Sequence, residues 1–167
     1  MYEIVEAQKQ HLPAIKALFM KELSREDVPC WSADEDEYPI CMLPEDLGSA
    51  LVMLDDAKNA IAYAAYHETF EEVENLPWRC RGKAAYFHRL LVDRDQRRKG
   101  FARRMIEELV KRARQLGCEC YRFVVYPDNQ KAIGVYEKLG LSSIAEVESP
   151  WKEYGDSGTI LLYEVPI

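Results

Sequence analysis

The chain has 167 residues, 48% apolar and 31% charged, a size and composition suited to one soluble globular domain spanning 1–167. No apolar run approaches the ~20 residues that cross a bilayer, and Met1-Tyr2-Glu3 lacks the basic and apolar regions of a secretory signal, so a membrane or exported protein is not expected. Five cysteines, an odd count with no Cys-x-x-Cys, fit reduced thiols and a cytoplasmic location.

The net charge of −7 conceals an asymmetry. Residues 1–78 carry 17 acidic and 5 basic side chains, 79–114 carry 4 and 13, and 115–167 carry 8 and 4. The basic block lacks the interleaved aromatics of a single-strand nucleic-acid platform, so no nucleic-acid partner is expected. A polyphosphate ligand accounts for it more simply.

In chain order, residues 2–6 read as a strand. Residues 9–23 read as a helix with Leu12, Ile15, Leu18, Phe19 and Leu23 at helical spacing. The pattern breaks from Ser24 to Leu43, a long loop with Trp31 and the acidic run 34–37, and a short helical turn at 44–49 closes it. Ala50–Leu54 and Ala60–Glu68 form a hairpin about the turn 55–59. An acidic irregular segment, Glu71–Glu74, leads to Pro77-Trp78. Tyr86–Val92 is a short aromatic and apolar strand. Phe101, Met105, Ile106, Leu109, Val110, Ala113 and Leu116 then share one helical face, and Gly117 suits the cap that ends that helix. Tyr121–Tyr126 is a strand, a helix follows Pro127-Asp128-Asn129 and ends at Gly140, and 141–147 and 159–165 are strands. This order gives an α+β domain around one mixed sheet.

Two stretches carry chemistry. Arg97, Arg98, Lys99 and Gly100 form a basic turn between a strand end and a helix start, where unpaired N–H groups and the positive helix end attract an anion. The spacing Arg97-x-x-Gly100-x-Ala102 resembles the acetyl-CoA pyrophosphate loop of the GNAT superfamily of N-acetyltransferases. The segment 125–140, with Asn129 before Ala132 and a helix running into Tyr136-Glu137-Lys138-Leu139-Gly140, resembles a second segment of that family; Leu141 replaces its usual Phe. The two motifs stand in the family's order and place the specific resemblance in residues 84–141.

The resemblance implies a three-layer acyl-CoA N-acyltransferase fold, a mixed and mostly antiparallel sheet of about seven strands flanked by about four helices. It implies acetyl-CoA as cosubstrate and direct transfer of acetyl to a primary amine of a small acceptor in a ternary complex. By position, the amides of Arg97, Arg98, Lys99, Gly100, Phe101 and Ala102 would hold the pyrophosphate. Leu90 and Leu91 would offer backbone groups to pantetheine, the Val92 N–H would polarise the acetyl carbonyl, and Asn129 would contact the pantetheine arm or nearby backbone. Tyr136 would be the general acid, a structural tyrosine being the alternative. His88 stands four residues before Val92, where some members place a base; a hydrogen-bonded half-buried histidine fits it equally.

On the strand's alternation, Tyr86, His88, Leu90 and Val92 share a side unless a bulge intervenes. The resemblance implies that 24–43 and 148–158 wall the acceptor site, where their acids and aromatics suit a cationic acceptor; that these acids only solvate the loops is the equal alternative. No metal is expected, and homodimerisation stays open. The competing reading is a non-catalytic acyl-CoA-binding module.

Overall fold

The computed structural model describes residues 1–23, 40–151 and 158–167. Its elements are β1 (Glu3–Glu6), α1 (Leu12–Leu23), β2 (Ala50–Leu54), β3 (Ala60–His67), α2 (Glu71–Glu74), β4 (Ala84–Val92), α3 (Phe101–Gln115), β5 (Cys120–Val125), α4 (Gln130–Lys138), β6 (Ala145–Glu148) and β7 (Thr159–Pro166). Single 3-10 turns occupy Lys9–His11, Ile40–Met42 and Arg94–Gln96. The strands form one seven-stranded sheet in the order β1-β2-β3-β4-β5-β7-β6; β1–β2, β2–β3, β5–β7 and β6–β7 pair antiparallel, and β4 and β5 run parallel over Ala84–Tyr86. The mixed sheet and four helices agree with the expected fold class.

Packing divides the chain into two compact units, Met1–Tyr66 with His88–Leu109, and His67–Phe87 with Val110–Ile167. In the first, β2 and β3 are buried along almost their whole length. Their Ala50, Val52, Leu54, Tyr63 and Ala65 meet Ile15, Leu18, Phe19 and Leu23 of α1 in one apolar cluster. The α1 stripe repeats at the helical period, so this helix is held by burial of one face. In the second unit, Trp78, Tyr86, Cys120, Ile160 and Leu162 form the core, with Phe70 and Trp151 packed against it.

Several local expectations shift. The helix from residue 9 begins as a 3-10 turn and becomes α-helical at Leu12. Glu71–Glu74 is one α-helical turn rather than irregular, because the Glu74 carboxylate accepts from the Phe70 N–H at 3.2 Å and closes it. The strand expected from Leu141 starts at Ala145, where pairing with Leu162 begins.

One residue of β4 departs from strand geometry: Arg89 has φ of +54°, a left-handed conformation inside a strand. Burial nevertheless alternates from His88 to Val92, with Arg89 and Leu91 buried between half-buried His88, Leu90 and Val92. Trp31, Asp34, Glu35, Asp36, Glu37, Tyr38, Glu153, Tyr154 and Asp156 lie outside the described residues.

Candidate active site

The first unit carries a continuous strand, turn and helix. The Asp93 N–H donates to the Ile61 carbonyl at 2.9 Å, pinning the end of β4 to β3. The Asp93 carboxylate accepts from the Asp95 N–H at 2.9 Å and caps the Arg94–Gln96 turn. Two left-handed residues follow, Arg98 at φ +64° and Gly100 at φ +80°. Left-handed residues in a turn direct successive N–H groups into one concavity, an anion nest. Among the described residues, nothing beyond the chain neighbours lies within 4 Å of where a Cβ on Gly100 would stand. The first helical bond at this end of α3 runs from the Arg104 N–H to the Gly100 carbonyl at 3.1 Å. The amides of Phe101, Ala102 and Arg103 thus precede the ladder, at the positive end of a 15-residue helix.

Not every basic side chain of the loop is available to an anion. Arg97 turns back: its Nη2 donates to Glu22 at 2.5 Å and its Nε to the Val92 carbonyl at 3.2 Å. Lys99 donates to Gln96 at 2.8 Å. Arg98, exposed like Lys99, makes no such tie among the described residues.

Behind the strand, Arg89 is buried and donates to both carboxylate oxygens of Asp46, at 2.6 and 2.7 Å. Asp46 also accepts from the Tyr63 hydroxyl at 2.7 Å. The ion pair supplies what sequence lacked for Arg89, namely the partner that holds a cation inside the fold and with it the left-handed residue. His88 is half-buried, with a ring nitrogen within 4.8 Å of an Asp46 oxygen. Arg89 engages both Asp46 oxygens, so the carboxylate is already charge-matched.

The second unit carries the other motif. The Asn129 Oδ1 accepts from the Ala132 N–H at 3.1 Å and caps α4. Tyr136, on that helix, is half-buried, with its ring 4.5 Å from Phe123 and 5.5 Å from Tyr163. Those rings belong to a ladder across β4, β5 and β7: Phe87 stacks on Tyr121 at 4.6 Å, and Phe123 on Tyr163 at 4.7 Å. Burial pushes the Tyr136 phenol above its ordinary range, and the neighbouring Tyr163 and Tyr121 add to this. Burial alone raises Tyr121 to about 12.

The structure thus places Leu90, Leu91, Val92, His88 and Arg97–Ala102 on one strand–loop–helix run, and Asn129 and Tyr136 together on α4 of the other unit. Sequence reasoning missed Glu22, Asp46 and the Phe123 ladder. Glu22 alone left a mark, as a carboxylate on the buried stripe of α1.

A mixed seven-stranded sheet with an anion nest between its central strand and a helix defines an acyl-CoA-type N-acyltransferase fold. The chain belongs to the acetyltransferase (GNAT) family, whose model matches residues 12–141. It is an N-acetyltransferase by family, and the family's acetyl donor is acetyl-CoA. No curated protein sequence matches the chain. Among solved structures it is similar to a GNAT-family acetyltransferase from Streptococcus agalactiae 2603, with 22% identity, TM-score 0.77, and 99% of this chain and 95% of that chain covered. It is also similar to Ard1 from Thermoplasma volcanium, with 17% identity, TM-score 0.71, and coverage of 99% and 97%. A chain of the NatC complex bound to Gag peptide and CoA matches at 17% identity and TM-score 0.69, with coverage of 100% and 98%. At these identities the likeness is one of fold. Among the described residues no helix is long and apolar enough to cross a membrane.

Proposed function

We propose that the chain moves the acetyl group of acetyl-CoA to a primary amine of a small cationic acceptor, directly and without an acyl-enzyme. The observation that carries this reading is the nest at Arg98–Gly100, which continues into the free first-turn amides of α3. Backbone donors from 97–102 hold the diphosphate; the exposed Arg98 side chain adds charge. Leu90 and Leu91 offer backbone groups to pantetheine, and Asn129 contacts the pantetheine arm or nearby backbone. The Val92 N–H donates to the thioester oxygen, where negative charge develops.

The acceptor nitrogen attacks the carbonyl carbon, so that a C–N bond forms and the C–S bond breaks. The nitrogen loses one proton, taken by His88 directly or through water. The departing sulfur gains one from Tyr136, and solvent returns the phenol's proton. With its pKa held high, Tyr136 keeps its proton through the neutral range. It acts first as a hydrogen-bond donor to the leaving sulfur, whose reference pKa is about 8.5 for a thiol. Transfer is therefore late, as the C–S bond opens.

A cationic acceptor is favoured by exposed Glu71 and Glu72, next to the Phe70–Trp151 ring pair at 5.5 Å. Carboxylates beside aromatic faces attract ammonium groups. The decisive experiment is thiol release from acetyl-CoA across a panel of polyamines, amino sugars, aminoglycosides and basic peptides. Turnover confined to cationic small amines is the expected result. Preference for a peptide N-terminus would overturn the acceptor class. Silence across the panel despite tight acetyl-CoA binding would favour a binding module.

A further inference from the structure

The last turn of α1 is joined to the loop after β4 by two opposite sets of charges. Glu22 is fully buried, and a carboxylate survives there only if cations meet it. Its Oε1 accepts from the Arg94 backbone N–H at 2.9 Å and lies 3.5 Å from the Arg94 Nε. Its Oε2 accepts from the Arg97 Nη2 at 2.5 Å. The adjacent Lys21 donates to both oxygens of Asp93, at 2.6 and 2.7 Å, and to Asp95 at 2.8 Å. Arg94 in turn donates to the Lys21 carbonyl. Through Arg97, whose Nε reaches the Val92 carbonyl, the same cluster touches the end of β4.

We propose that Glu22 and Lys21 are positioning residues for the diphosphate of acetyl-CoA, fixing the spacing between the strand end at Val92 and the amides of the nest. The inference rests on the reading of that nest as the diphosphate site. Two effects oppose each other when Glu22 is neutralised. The loop gains one net positive charge, which favours a polyanion. It also loses the tie that aims its amides, and hydrogen bonds weaken steeply off line. Arg97 is 39% exposed, so its released charge is screened. Geometry wins, and the sign of the change tests the inference.

The experiment compares acetyl-CoA with S-acetylpantetheine, which lacks the diphosphate, by NMR titration of Glu22→Gln and Lys21→Met. Glu22→Gln should weaken acetyl-CoA binding about tenfold, or one decade in Kd, and leave acetylpantetheine within about twofold. Lys21→Met should show the same split at about threefold. It also carries the test if Glu22→Gln fails to fold, because Lys21 is a 37% exposed partner. Equal losses on both ligands, no loss, or tighter acetyl-CoA binding would overturn the proposal. Gly100→Glu, titrated alongside, separates the two readings. If it fails to discriminate the ligands, the diphosphate assignment falls; if it discriminates and the two α1 variants do not, only the role of α1 falls.

Discussion

Asp46→Ala is the most informative single change to the scaffold behind β4. The Asp46 and Arg89 side chains are 1% and 4% exposed, so removing the carboxylate takes the ion-pair partner from a guanidinium with little access to water. Breaking a buried pair from one side costs about 3–5 kcal/mol. The Tyr63 hydroxyl loses its acceptor at the same time, which adds about 1 kcal/mol or more, not independently of the first loss. Against a domain stability of about 5–15 kcal/mol, a loss of about 4 is severe, and at about 2–4 °C per kcal/mol it lowers Tm by about 8–16 °C. Part of the pair's role is conformational. A long side chain at φ +54° sits about 1–2 kcal/mol above the strand conformation, and the carboxylate keeps it there.

Urea unfolding followed by circular dichroism would measure the single variants and the Asp46→Ala/Arg89→Met double. The double should recover at least about 2 kcal/mol relative to the sum of the singles, because it removes the buried charge with its partner. A loss under about 1 kcal/mol in Asp46→Ala, or strict additivity, would refute the argument.

Gly100→Glu meets open space at its Cβ but is strained by the φ of +80°; with its fold checked by circular dichroism, it should weaken acetyl-CoA at least about a hundredfold in calorimetry by placing a carboxylate in the nest, and unchanged affinity would remove the loop from the phosphate site. Tyr136→Phe should lower kcat about a hundredfold with acetyl-CoA affinity within about twofold, and equal turnover would end its role as acid. His88→Ala should abolish the loss of kcat/KM that protonation of a base produces on acidification; superimposable profiles would show that the imidazole takes no proton. Stability should fall as pH rises through the alkaline range. The Tyr121 and Tyr136 pKa values are raised in the fold, so above about pH 10 the unfolded chain sheds protons that the native state keeps. Urea midpoints between pH 9 and the Tyr121 value of about 12 should fall less steeply in Tyr121→Phe; an identical slope would contradict the raised pKa.

What could be read in advance was local. The turn 97–100 and the helix after Asn129 are set by residues adjacent in sequence: a glycine that tolerates φ +80° and a side chain that caps three residues on. The amphipathic stripes of α1 and α3 were legible for the same reason, one periodicity within one segment. The long-range polar pairs were not. Arg89 meets Asp46 across 43 positions, and Arg97 meets Glu22 across 75. Neither pairing leaves a periodic trace, and the left-handed conformation at Arg89 falls on no glycine that would announce it. Only a misplaced charge, Glu22 on an apolar face, pointed to a hidden partner.

These hidden pairs bear on how the candidate site works. A ligand gripped mainly by backbone N–H groups gains little from the charge of any one side chain, so its affinity depends on how well the backbone is held. Arg97 illustrates the consequence. Its guanidinium stands in the phosphate motif, yet it bonds to Glu22 and to the Val92 carbonyl, linking the nest to the strand end. Arg89, buried where Arg97 is exposed, does the corresponding task for the left-handed backbone that leads into Leu90, Leu91 and Val92. In each case an arginine acts on the fold through a buried carboxylate. A lysine at position 97 would therefore not substitute: its single ammonium cannot reach Glu22 and the Val92 carbonyl in the planar fork that Arg97 uses.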